Sequence, residues 1–203
     1  MKSPSFTLRD WVYVAVFGAL WGTLEMTLGA YLHVLFPPLA DTFFVGLIMA
    51  GLGAVIALVG RYFVPRTGAV LSIGVIAALL KTISLGGVKI GPVVAILAEA
   101  VLMEAALLSR TSPVRWRYVL AGGLAVSWNF FHKFVMMRLL YGTGIAEVYL
   151  KMIQDGSQVL GLDVGYTVAI IGILFAARVA VGAAAGWLAW ELGRLVARRM
   201  TKE

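Results

Sequence analysis

The chain has 203 residues, 61% of them hydrophobic and 13% charged, with a mean hydropathy of +0.93. Soluble domains average about 45–50% apolar and about 25% charged residues, so this composition excludes an ordinary water-soluble fold and calls for lipid as solvent. The net charge of +7 implies no nucleic-acid partner here, because in a membrane chain the placement of basic residues matters more than their sum.

A spanning helix takes about 20 mostly apolar residues, so the length allows at most about seven spans and no separate soluble domain. Residues 1–203 therefore read as one all-α membrane bundle. The first apolar segment covers 11–35, follows Lys2 and Arg9, and is closed by Pro37 and Pro38. It is too long for a signal-peptide core and no small-residue cleavage site follows it, so it reads as a retained span. The second covers 42–59 and is punctuated by Gly60, Pro65 and Gly68; the third covers 69–83 and ends before Gly86 and Gly87. The fourth, 92–108, lies between Gly91-Pro92 and Thr111-Ser112-Pro113. The fifth and sixth cover 118–140 and 164–196. In the long connection 142–163, Ile145, Val148, Tyr149 and Met152 recur at helical spacing, which predicts a short amphipathic helix on the outer interface.

The basic residues set the expected orientation. One side collects Lys2, Arg9, Arg61, Arg66, Arg110, Arg115, Arg117, Arg194, Arg198, Arg199 and Lys202. The other collects Lys81, Lys89, Lys133, Arg138 and Lys151, with Arg178 inside the last span. By the positive-inside rule this split places both termini in the cytoplasm, which requires an even number of spans and fits six.

Several chemistries are excluded. No cysteine is present, so disulfides and thiolate sites are out. There is no phosphate-binding G-x-x-x-x-G-K-[ST] loop, no H-E-x-x-H zinc helix and no G-x-S-x-G elbow. Gly51-Leu-Gly53 lacks the third glycine of a dinucleotide fingerprint and reads as helix packing inside a span. No metal, cofactor or catalytic residue is assigned, and any transport must draw its energy from a gradient or a partner.

Ionisable groups within spans are costly and mark functional sites by default. Here they are Glu25, Lys81, Glu99, Glu104, His132, Lys133 and Arg178, with the amide of Asn129. Counting about 1.5 Å per residue puts Glu25, Lys81 and His132 roughly 18–21 Å above the cytoplasmic face, and Glu99 about 10 Å below the outer one. Four groups from four helices are thus expected at one level in the outer half. Asn129, His132, Lys133 and Met136 share one helix face, with Trp128 a turn away. Ala15, Gly18, Gly22, Glu25 and Gly29 form a small-residue stripe that turns Glu25 toward other helices.

The expected site is therefore Glu25, Lys81, Glu99, Trp128, Asn129, His132 and Lys133, holding a small polar solute with cationic and aromatic character. Beside it stands the reading that Glu25–Lys81 and Glu99–Lys133 are buried ion pairs that only hold the bundle together. Glu104 and Arg178, nearer the cytoplasm, read as structural. Gly182-xxx-Gly186 and the paired small residues of the first span suit close helix packing inside the bundle or a docking face for another membrane subunit.

The layout of about 200 residues, six spans and cytoplasmic ends, together with Ala15-Val-Phe-Gly-Ala19 in the first helix, resembles the substrate-binding S components of energy-coupling factor vitamin transporters. The resemblance implies a plasma-membrane protein of a bacterium or archaeon that captures a vitamin or cofactor precursor, thiamine-like or otherwise cationic and aromatic. It implies docking through Ala15 and Ala19 on a transmembrane coupling subunit, with two ATPases supplied in trans. It also implies a substrate site in the outer half, with 142–163 as one of its caps. The competing readings are a gradient-driven small-solute carrier and an intramembrane metal-dependent hydrolase built on Glu25, Glu99, Glu104 and His33 or His132. The hydrolase is disfavoured because Glu99 and Glu104 are about 140° apart round one helix.

Overall fold

A computed structural model describes residues 5–35, 45–83, 90–108, 114–141 and 145–200. Among these residues every regular element is helical. The chain runs through α1 (Leu8–Leu35), α2 (Gly46–Phe63), α3 (Ala69–Thr82), α4 (Ile90–Ala106), α5 (Arg115–Tyr141), α6 (Ile145–Leu160), a 3-10 turn (Val164–Tyr166) and α7 (Thr167–Met200). Six of these helices coincide with the six apolar segments, and α6 falls in the connection where an amphipathic helix was expected.

Three stretches, Leu8–Leu28, Gly46–Phe63 and Val164–Met200, are long and apolar enough to cross a membrane. With 14 and 17 residues, α3 and α4 reach only about 21 and 26 Å, short of a hydrocarbon core about 30 Å thick. The outward surface of α1 and α7 is nevertheless apolar. Leu8, Val12, Val16 and Leu20 on α1, and Val168, Ile173, Leu188 and Leu192 on α7, are all exposed. Exposed aliphatic residues at this density are compatible with a lipid-facing exterior.

Helices α1, α3, α4, α5 and α7 touch in that order, and α2 packs against all five. The middle of the bundle is thus α2, which buries Ala50, Ala54, Ala57 and Leu58. Glycines set the spacing. A Cβ on Gly186 of α7 would lie 2.0 Å from the carbonyl oxygen of Tyr118 on α5, and one on Gly182 would lie 2.3 Å from that of Gly122. Only a hydrogen fits there, so the two backbones meet directly, the use of small-xxx-small spacing that needs no hydrophobic force. Gly182-xxx-Gly186 is therefore packing inside the bundle. In the same way Trp21 of α1, fully buried, lies between Gly53 of α2 and Gly74 of α3. Outside this body α6 crosses α7, with Gly156 against Ile170 and Leu174.

Polar contacts fasten one end of the bundle. Asp10 accepts hydrogen bonds from the Thr7 amide and hydroxyl, both 2.8 Å, and from Arg66 Nε at 2.6 Å. This closes the first turn of α1 and ties it to the α2–α3 connection. Glu104, from α4, caps α3: its carboxylate accepts from the amides of Gly68 (2.7 Å), Val70 (2.9 Å) and Leu71 (3.3 Å). A helix start has orphan amides and a positive dipole end, and the buried carboxylate answers both. Glu104 is thereby structural, as its position suggested.

Gly186→Ala should force α5 and α7 apart and lower stability by about 1–3 kcal/mol or more. Gly172→Ala, at a glycine with nothing within 4 Å of its Cβ position, should be neutral. Melting of both variants in detergent checks this; equal effects would mean that α5–α7 contact does not limit the fold.

Candidate functional site

Three of the expected site residues gather inside the bundle. Glu25 sits on α1 one turn after Trp21, so both side chains point inward. Lys81, near the end of α3, places Nζ 3.5 Å from Glu25 Oε2 and donates a hydrogen bond to the Glu25 backbone carbonyl. Both side chains of the pair are only 11% exposed. Glu99, on α4, is 3% exposed and lies within electrostatic reach of Glu25. Among the described residues no hydrogen bond or ion pair reaches its carboxylate.

Glu99 is deeper than the residue count indicates. Gly74 faces Ala100 so closely that a Cβ would meet it at 2.3 Å. Glu99 is thus near the level of Gly74 and Trp21, about 10 Å below Lys81 along α3. At this level Trp21 Nε1 is also buried and, among the described residues, without a hydrogen-bond partner. The site is a stack: the Glu25–Lys81 pair above, Glu99 and Trp21 beneath. Trp21 was missed in the sequence, although its i, i+4 spacing to Glu25 was a usable signal.

The α5 residues are spread around this stack. His132 Nε2 is 2.8 Å from the carbonyl oxygen of Gly91 in the first turn of α4, eight residues or about 12 Å along that helix from Glu99. Asn129 abuts Gly46 at the start of α2, its Oδ1 2.7 Å from where a Cβ would stand. Trp128 stacks edge-on to His132, with ring centroids 6.3 Å apart. It lines a crease between α5 and α7, together with Leu102 of α4, rather than the space near Glu99. The side chains of Lys133 and His33 lie outside the described residues, and so does the Glu99–Lys133 pairing. Arg178, 4% exposed, bonds the Leu174 carbonyl oxygen at 3.1 Å and stands 5.5 Å over the Phe130 ring. Among the described residues no group of three or more potential metal ligands occurs.

The small-residue stripe of α1 divides in two. Gly18 and Gly22 are buried against Ile76 and Leu80 of α3, whereas Ala15 and Ala19 are exposed. Ala15 shares the stripe's direction but lies about 10 Å before Gly22 along α1, where the stripe no longer faces a neighbour. No family model, curated protein or solved structure matches this chain.

Replacing one member of a buried ion pair strands the other charge, whereas replacing both by neutral groups removes the problem. Lys81→Met should therefore lower stability by about 3–5 kcal/mol, and Glu25→Gln with Lys81→Met should recover most of that loss. Chemical or thermal unfolding of both checks the expectation; a double variant as unstable as the single would show that the pair is not coupled.

Proposed function

We propose that α1–α5 and α7 all cross the plasma membrane of a bacterium or archaeon, with both termini in the cytoplasm, and that the bundle captures a small water-soluble metabolite. In this reading the chain is the substrate-binding subunit of an energy-coupling factor transporter. It takes up a vitamin or cofactor precursor, powered by a transmembrane coupling subunit and ATPases in trans. The observation that carries the reading is Glu99, a carboxylate buried in the bundle without a described partner, beside a pair that already matches its own charges. A buried carboxylate that no described donor answers is costly, a cost that a structural group such as Glu104 avoids by accepting three amide hydrogen bonds. Two carboxylates against one ammonium favour a ligand with a cationic group. His132 and Asn129 belong to the outer rim of the same site, where α5 meets the first turns of α4 and α2.

Extraction of small molecules from gently purified protein, followed by mass spectrometry, names the solute. Glu99→Gln should then weaken its binding at least about tenfold, or 1.4 kcal/mol, with little change in melting temperature. Intact affinity with lost stability would assign Glu99 to the fold instead.

The exposed alanines suit the docking role. Lipid gives two apolar helices no hydrophobic reason to meet, so partner contact relies on close approach at small residues. Ala15→Leu and Ala19→Leu should abolish uptake in cells and leave solute affinity of the isolated protein unchanged. Uptake that survives both replacements would make this surface ordinary lipid-facing helix.

A further inference from the structure

The crease between α5 and α7 has a chemistry of its own. It has a volume of about 530 Å³ and is almost wholly apolar, with walls of Leu120, Gly123, Leu124 and Phe131 on α5 and Val179 and Ala183 on α7. Leu120, Leu124, Phe131 and Val179 are all more than a third exposed, so the crease opens on the outer surface of the bundle. From Leu120 to Phe131 it follows α5 for about 17 Å.

Both walls end in the same way. One turn before Leu120, α5 presents Trp116, 57% exposed, with the Arg117 guanidinium 5.2 Å from its ring centroid. One turn after Ala183, α7 presents Trp187, 44% exposed, with the Arg115 guanidinium 5.6 Å from its ring centroid. At its foot the crease is thus framed by two indoles, each carrying an arginine.

Two features show that these arginines are short of negative charge. Arg115 and Arg117 stand in the first turn of α5, which holds no acidic residue, although the positive end of a helix dipole disfavours cations and attracts anions. The nearby carboxylate, Glu191, lies 3.7 Å from Arg115 and is already hydrogen-bonded to Arg194. Arg198 and Arg199 add positive potential on the same end of α7. A local rule broken in this way points to a site.

We propose that the crease is a binding site for one anionic phospholipid, its phosphate held by Arg115 and Arg117 and one acyl chain lying between α5 and α7. Basic pockets between helices on the cytoplasmic side bind acidic headgroups, and tryptophans prefer the headgroup level. An apolar channel that begins where the arginines end fits a molecule with a charged head and a long tail. The proposal rests on the membrane reading and is independent of which solute the bundle captures.

The test uses the full chain in phosphatidylcholine nanodiscs with or without phosphatidylglycerol, followed by native mass spectrometry after mild delipidation. One phosphatidylglycerol should be retained per chain in preference to phosphatidylcholine. Retention should fall at least about tenfold in Arg115→Gln/Arg117→Gln, because both headgroup cations are lost. Gly123→Leu should also lower it with melting unchanged, because a Cβ there meets nothing nearer than the Val179 carbonyl oxygen at 4.0 Å. That second variant keeps the test open if the arginine variant folds poorly. Glycerol 3-phosphate alone should not displace the lipid. Equal retention of the two lipids, or retention unmoved in both variants, would overturn the proposal. Displacement by glycerol phosphate would overturn it too, in favour of a soluble phosphate.

Discussion

Close approach of backbones is the condition on which this bundle depends. Aliphatic side chains gain nothing by leaving lipid for one another, so helices associate only where packing is tight enough to beat lipid contact. The crossing of α5 and α7 at Gly122, Gly182 and Gly186, and the seating of Trp21 between Gly53 and Gly74, meet that condition. At Gly122, Gly182, Gly186 and Gly53 only a hydrogen fits between the main chain and its neighbour. The other features follow from this spacing. The seam of Gly18 and Gly22 puts α3 beside α1, which sets Lys81 against Glu25. The contact of Gly74 with Ala100 draws α4 in and carries Glu99 to the level of Trp21.

The buried carboxylates show how differently one chain treats like groups. Glu104 receives three amide hydrogen bonds at a helix start, where the dipole adds to their effect. Glu25 has an ammonium beside it. Glu99, the most deeply buried of the three, has neither among the described residues. Burial alone therefore separates nothing; the separating quantity is whether the local donors match the charge. On that measure Glu104 belongs to the scaffold and Glu25 and Lys81 to an ion pair, while Glu99 stands apart from both.

Charge is also sorted along the bundle axis. The end that carries the Asp10–Arg66 tie and the Glu104 cap also carries Arg115, Arg117 and the basic tail of α7. The Glu25–Lys81 pair stands well above it, with Glu99 between the two, five residues or about 7.5 Å from Glu104 along α4. The buried polar side chains and the apolar crease thereby lie on different helix faces: the first on the inward faces of α1, α3 and α4, the second between the outward faces of α5 and α7. Trp128 lies on the outward side of this divide, although its residue number places it beside Asn129.

The helical class, the six apolar segments and the amphipathic connection were legible in the sequence, because each depends on local properties: apolar runs, breaker residues and a 3.6-residue period. The inward direction of Glu25 was legible for the same reason, since glycines at fixed spacing mark a packing face. Which side chains meet across helices was not. The count from Pro92 put Glu99 level with Lys81, but the axial offset between α3 and α4 is decided by Gly74 seating on Ala100, a contact between residues 26 positions apart. Likewise Ala15 and Gly18 belong to one stripe on paper, and the crossing of α1 with α3 leaves the first exposed and buries the second. Period and composition determine what a helix is and which way it faces; its depth and rotation against its neighbours are set by packing, which only the assembled tertiary structure contains.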